Sequence, residues 1–239
     1  MRWVRRWLFT SVLSIAVLLA LGSSSVSSGL GRPAGPPSRI HPDFSSRAAI
    51  NRKLPPRPAG VAFLLVHLPG ESELGSPRWG LVVSRHDGRA AVITQGPRFT
   101  VTRHVVLARF ELRWTRIHVT VSLGRMRLAV WRGRHLLGRF PVADGSPSTP
   151  TPTGRFVVTD RVDFGPHSIY GSFGLGLSAH QLNGLPAGWA GGNQIAIHGT
   201  DNPSSIGHSV SLGCVRIGPA ALALLKHTVP LGAPVVISR

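Results

Sequence analysis

Residues 193–217 read NQIAIHGTDNPSSIGHSVSLGCVRI, and their pattern bears on both the fold and the chemistry. Alternate side chains of a strand share a face, so Ile195 and Ile197 predict a short half-buried strand that ends at His198. Gly199, Asp201, Asn202, Pro203 and Gly207 are turn formers, so a loop follows and delivers Ser211-Leu212-Gly213-Cys214. Fifteen residues separate His198 from Cys214, enough for the chain to go out and return so that imidazole and thiol can meet. Val215 and Ile217 alternate around Arg216 and predict a second extended piece. Beyond it, Gly218-Pro219 puts proline in the first turn of a helix over Ala220 to His227, Pro230 to Gly232 end that helix, and Ala233 to Ser238 make a last strand.

A thiol attacks carbonyls as thiolate, and an unperturbed cysteine near pKa ~8.5 is mostly protonated at neutral pH. A neighbouring imidazole is expected to correct that. Glycine at 213 lets the backbone turn tightly and aim the N–H groups of Gly213 and Cys214 at a developing oxyanion. The imidazole itself needs an orienting group, for which Asp201 and the carbonyl of Gly199 are equal candidates. The competing reading of a lone cysteine is a small buried apolar residue.

Upstream the chain is rich in strands. Ile117, Val119 and Val121 alternate with polar neighbours, Arg127 to Trp131 continues the pattern, and Arg132-Gly133-Arg134 turns into His135 to Val142, which makes a hairpin. Gly145 to Gly154 holds three prolines among hydroxyl residues and predicts an extended loop before a strand at Arg155 to Thr159. The Gly-rich stretch from Asp160 to Gly192, with Phe164, Tyr170, Phe173 and Trp189, reads as a lid or groove wall, or else as an insertion that covers a sheet edge. Val61–Val66, Trp79–Ser84, Ala90–Thr94 and Val101–Phe110, cut by Pro69-Gly70, Asp87-Gly88 and Gly96-Pro97, predict a small β-rich module over 61–113. Residues 29–60 are Pro-, Ser- and Gly-rich and read as a linker.

The chain has 239 residues, 42% of them hydrophobic and 15% charged, which fits one ordinary domain, or one domain plus a small satellite. Its 27 Lys plus Arg against 9 Asp plus Glu give +18, so any polymeric partner is anionic. Cys214 is the single cysteine, which excludes an intrachain disulfide and a Cys-rich zinc site. Arg2, Arg5 and Arg6 precede fifteen uncharged residues from Trp7 to Leu21, so residues 1–28 read as an export signal, cleaved or kept as a membrane anchor through 7–21. Export removes nucleic acid as a partner and leaves a basic surface facing anionic envelope polymers. His198, His208 and Asp201 lie in no His-Glu-x-x-His helix, so no metal is expected. Gly174 to Ala179 only mimics a dinucleotide fingerprint, since no parallel strand and no ribose-binding acid accompany it, and no cofactor is expected. A Gly-x-Ser-x-Gly elbow is missing too.

His198-Gly199-Thr200, Asn202-Pro203, Ile206-Gly207 and Ser211-Leu212-Gly213-Cys214-Val215-Arg216-Ile217 together resemble the signature of the L,D-transpeptidases with the YkuD-type catalytic domain. Thr149 to Gly154 with Phe156 resembles that family's Thr-Pro-Thr-Gly segment, and the hairpin from Arg127 to Val142 its opening strands. The likeness spans about 115–238. It implies a mostly β catalytic domain with one or two short helices, and acyl transfer through a cysteine thioester between peptidoglycan stem peptides. Cys214 would be the nucleophile, His198 the general base and acid, and the Gly199 carbonyl the group that orients the imidazole. Arg216 is a candidate for a substrate carboxylate or a structural ion pair, and Ser211 and Tyr170 are further candidate substrate contacts. Leu212 stands where many members carry histidine, so no second imidazole adjoins the thiol. The rival expectations are an L,D-carboxypeptidase or endopeptidase with water as acceptor, and a non-catalytic envelope-binding protein. Nothing in 61–113 matches a known peptidoglycan-binding repeat.

Overall fold

Short apolar runs cut by turn formers build the first of two sheets. In the computed structural model, which describes residues 54–96, 99–165, 167–189 and 192–239, β1 (Phe63–Glu71), β2 (Pro77–His86), β3 (Arg89–Gln95), β4 (Thr100–Val106) and β5 (Leu112–Thr115) pair antiparallel in the order β4-β3-β2-β1-β5. The expected export segment and the linker up to Lys53 lie outside the described residues. From Leu54 the chain runs without regular structure, with the carbonyl of Pro55 accepting the Trp114 indole N–H at 2.9 Å.

β1 reads as a continuous apolar run because both of its faces are covered. Leu64, Val66 and Leu68 pack with Ala90, Val92 and Leu107 in the sheet's own core, whereas Leu65 joins Trp79, Leu81 and Val157 in a seam with the second sheet. Arg113 reinforces that seam, stacking 3.8 Å over the Trp79 ring and donating to the Leu231 carbonyl at 2.7 Å. The strand expected over Val101 to Phe110 stops at Val106. There the Leu107 N–H leaves the ladder for the Gly88 carbonyl, and Leu107–Arg109 winds into a 3₁₀ turn that buries Leu107.

The second sheet comprises β6 (Ile117–Ser122), β7 (Arg127–Arg132), β8 (His135–Gly145), β9 (Gly154–Asp163), β10 (Phe173–His180), β11 (Gln194–His198), β12 (Ser209–Ser211), β13 (Val215–Ile217) and β14 (Pro234–Ser238). Their order is β12-β8-β13-β11-β10-β9-β14-β6-β7, and β7 also pairs with β8, so eight strands close into a ring with β12 appended. Closure leaves the ring without a free edge. The protein is therefore mostly β, with one α-helix among the described residues, α1 (Pro219–Thr228), which buries Ala221 and Leu225 in the ring's core. Among the described residues no helix is long and apolar enough to cross a membrane.

The stretch 160–192 departs from its expectation as a loop. β9 runs on to Asp163, and Phe173–His180 forms a strand that is buried at every residue, between β9 and β11. Burial on both faces removes the polar alternation that marks a strand, and Gly174 and Gly176 look like loop residues in sequence. Leu175 and Leu177 point into the core, where each contributes about 1.5–3 kcal/mol by burial. The described residues of the flanking segments, 164–165, 167–172, 181–189 and 192–193, are irregular, and both segments contribute to the groove described next.

Candidate active site

The two glycines of β10 make room for the site. Gly174 pairs with His198 and Gly176 with Ala196, so both face the same side of the sheet as the imidazole. A Cβ at 174 would lie 2.9 Å from the Phe164 ring and 3.1 Å from the His198 Cβ; one at 176 would lie 2.9 Å from the Gln194 amide nitrogen and 3.0 Å from the Asp160 Cβ. The resulting groove has a volume of about 540 Å³, and His198, Cys214, Arg216 and Tyr170 all line it. A larger depression of about 740 Å³ on the first sheet, between Arg57, Trp114 and Arg85, lies away from Cys214 and His198.

Parallel pairing of β11 with β13 brings the chemistry together. Ile197 lies opposite Val215 and His198 opposite Arg216, so Cys214, which precedes β13, falls beside Ala196. His198 is 4% exposed, and its Nδ1 lies 2.5 Å from the Gly199 carbonyl oxygen. A carbonyl only accepts, so Nδ1 carries the proton and Nε2 keeps its lone pair. Of the two orienting groups open in the sequence, the carbonyl of Gly199 makes this contact, and Asp201 lines the groove instead. The Tyr170 ring stands edge-on to the imidazole at 5.0 Å and 89°. Burial holds His198 at about 4, against an ordinary 6.5; the Gly199 and Tyr170 carbonyls oppose that shift, and the Arg216 guanidinium adds to it. His198 is therefore neutral at pH 7.

The cysteine turn is held by hydroxyls. Thr151 Oγ1 accepts the Gly145 N–H and donates to the Gly213 carbonyl, both at 2.8 Å, and Thr149 Oγ1 donates to the Ser211 carbonyl at 2.9 Å. Ser211 Oγ accepts the Gly213 N–H at 3.0 Å and donates to the Cys214 carbonyl at 2.6 Å. Gly213 sits at φ 115°, where any other residue would be strained, and a Cβ there would lie 2.9 Å from Ile195. The Pro- and Thr-rich loop is thus a clamp on the cysteine turn.

Three expectations change as a result. Ser211 borders the groove, but its hydroxyl is buried and engaged within the turn, so it is not a free substrate contact. The Gly213 N–H is taken up by the Ser211 hydroxyl, which leaves the Cys214 N–H of the two expected oxyanion donors. The thiol is not activated at rest, either. Burial pushes the Cys214 thiol up from its ordinary value, more than the Ala196 N–H and the Arg216 guanidinium bring it down. Its sulfur accepts the Ala196 N–H at 3.4 Å and lies 4.0 Å from the Gln194 carbonyl, so thiol and imidazole share a groove face without a hydrogen bond between them.

Two further residues position the site and carry no signal in the sequence. Gln194 donates to Thr159 Oγ1 at 2.8 Å and to the carboxylate of Asp160 at 3.0 Å, while its own carbonyl faces the thiol. Asp160 is fully buried and reads in sequence as one polar residue in an irregular stretch.

Residues 116–237 match the L,D-transpeptidase catalytic domain of the YkuD family. The chain is 34% identical over 122 residues to a Bacillus subtilis protein named for L,D-transpeptidase YkuD, covering 51% of this chain and 66% of that one. A Bacillus licheniformis protein of the same name is 34% identical over 120 residues, covering 50% of this chain and 64% of that one. The chain thus spans a little less than two thirds of the length of these curated relatives. A solved L,D-transpeptidase from Mycobacterium smegmatis superposes with a TM-score of 0.43 at 14% identity, over 73% of this chain and 76% of that one. The first sheet, which ends at Thr115, lies outside the family match. With that match running from the first strand of the ring into its last, the chain belongs to the YkuD family of L,D-transpeptidase catalytic domains.

Proposed function

We propose that this protein is an exported L,D-transpeptidase that cross-links peptidoglycan stem peptides through a thioester on Cys214. The observation that carries this reading is the His198 tautomer: with Nδ1–H held by the Gly199 carbonyl, Nε2 is a free base on the same groove face as the thiol. Both partners are neutral at rest, so attack and proton transfer go together. Cys214 Sγ adds to the carbonyl of the third residue of a donor tetrapeptide, its proton passes to His198 Nε2, and the Cys214 N–H stabilises the oxyanion. Collapse breaks the C–N bond, and His198 returns the proton to the amine of the departing D-alanine. Arg216, in register with His198, binds the carboxylate of that leaving group. An acceptor amine then attacks the thioester, His198 takes its proton, and the thiol is restored. The hydrogen bond between Nε2 and the thiol forms with substrate in place, as catalytic contacts in free enzymes commonly do.

In this account residues 1–28 direct export, with 7–21 able to serve as an anchor, and residues 29–60 are a linker to the catalytic region, which follows a β-rich module over 61–113. The +18 chain meets anionic envelope polymers, and no cofactor takes part. Water is the competing acceptor at about 55 M, and an amine outcompetes it only when bound in position, where effective molarities reach about 10⁵ M or more. The test is product analysis with purified muropeptides. Cross-linked dimers together with free D-alanine are expected; tripeptide alone at saturating acceptor would replace this reading with a carboxypeptidase.

A further inference from the structure

One wall of the groove comes from outside the family match. The turn between β1 and β2 carries Ser72, Glu73 and Leu74, and the latter two line the groove. Two contacts fix where this turn sits. Ser72 Oγ donates to Asp160 Oδ1, whose other oxygen holds the Gln194 amide. Glu73 Oε1 lies 3.0 Å from Nε2 of His180, and His180 pairs with Gln194 across β10 and β11. Both contacts put the turn at the Gln194 end of β11. His198 is at the other end, roughly 13 Å away at the usual strand rise, and Cys214 lies between them beside Ala196.

This order along the strand divides the substrate. His198 protonates the leaving amine, and the incoming amine must give up its proton to the same imidazole, so both occupy the His198 end. The acyl part of the donor is left to the Gln194 end. The charged side chains lining the groove are Glu73, Asp201 and Arg216. Asp201 follows His198 on the loop, and Arg216 is in register with it, so among the described residues that line the groove Glu73 is the charged one at the acyl end; the Asp160 carboxylate nearby is buried and engaged by Gln194 and Ser72. The Glu73 side chain is 42% exposed even with His180 in contact, and the neighbouring Leu74 is 58% exposed.

We propose that the β1–β2 turn is a specificity element for the donor, in which Glu73 receives an ammonium group on the side chain of the residue whose carbonyl is attacked and Leu74 covers that side chain's methylenes. The inference rests on the transpeptidase reading, and it gives the first sheet a role: a carboxylate set opposite the cationic side chain of a diamino acid.

The test uses the full chain and two donors, L-Ala-γ-D-Glu-L-Lys-D-Ala and the same peptide with its lysine amine acetylated, and reads D-alanine release and the mass of the acyl-enzyme. The wild type is expected to prefer the free amine by about ten-fold in kcat/KM, the scale of one charge-assisted contact in a half-open groove. Glu73→Gln keeps a hydrogen-bonding group for His180, and it should abolish the preference by slowing the free-amine donor alone. The acetylated donor reports whether the variant is folded and active. An unchanged preference in the variant, or equal slowing of both donors, would overturn the inference while the transpeptidase reading stands. If neither donor acylates the wild type, both fall.

Discussion

Thr151→Val removes one hydroxyl and nearly nothing else, because valine has almost the same shape. Thr151 is 5% exposed, and its Oγ1 connects the end of β8 to the cysteine turn through the Gly145 N–H and the Gly213 carbonyl. Losing it strands one buried donor and one buried acceptor, each at about 1–3 kcal/mol. With partial relaxation the expected loss is about 3 kcal/mol, or roughly 6–12 °C in Tm for a chain of this size. That is within the ~5–15 kcal/mol that folded domains hold, so the variant should still fold. Acylation should suffer more than folding does, since a nucleophile displaced by about 1 Å can lose on the order of 10² in rate. Urea unfolding gives the first quantity, and single-turnover release of D-alanine from a donor tetrapeptide gives the second. Thr151→Ser should restore most of both. The clamp is wrong if Thr151→Val stays within about 0.5 kcal/mol of wild type and acylates normally, or if the serine variant fails as badly as valine.

Two other predictions concern protons. Because burial raises the Cys214 thiol, iodoacetamide should alkylate the free enzyme more slowly at pH 7 than it alkylates a free cysteine, with the rate still climbing above the ordinary thiol range; rapid alkylation at pH 6–7 would mean a preformed thiolate. His198 is held at about 4 against 6.5 when unfolded, so between these values the unfolded chain binds more protons and stability falls as pH drops. About 3 kcal/mol should be lost from pH 6.5 to 4, measurable as a pH-dependent Tm difference between wild type and His198→Gln; parallel profiles would show that His198 titrates normally.

What the sequence made legible follows from how local each signal is. Alternation at Ile195/Ile197 and Val215/Ile217 needs only neighbouring residues, and those strands, the helix from Pro219 and the hairpin at Gly133 lie where the pattern places them. β10 was hidden because a strand covered on both faces has no polar period, and its glycines serve space rather than turning. Ser211 looked available because a hydroxyl near a cysteine is exposed or buried only by the fold around it. The thiol's direction reversed for the same reason: desolvation depends on the walls that Tyr170, Gln181 and the β1–β2 turn supply, none of them adjacent to Cys214 in sequence. Glu73 lies more than a hundred residues from His180 and reaches it only because the two sheets pack along the seam around Leu65 and Val157.

The central claim is that Cys214 carries the acyl group, and intact-mass analysis of the full chain quenched in acid during turnover of a purified donor tetrapeptide tests it most directly. The account predicts a mass increase equal to the donor minus D-alanine, mapped to the peptide containing Cys214 and abolished in Cys214→Ala. Release of D-alanine with no adduct on Cys214, or an adduct that persists in the alanine variant, would contradict it.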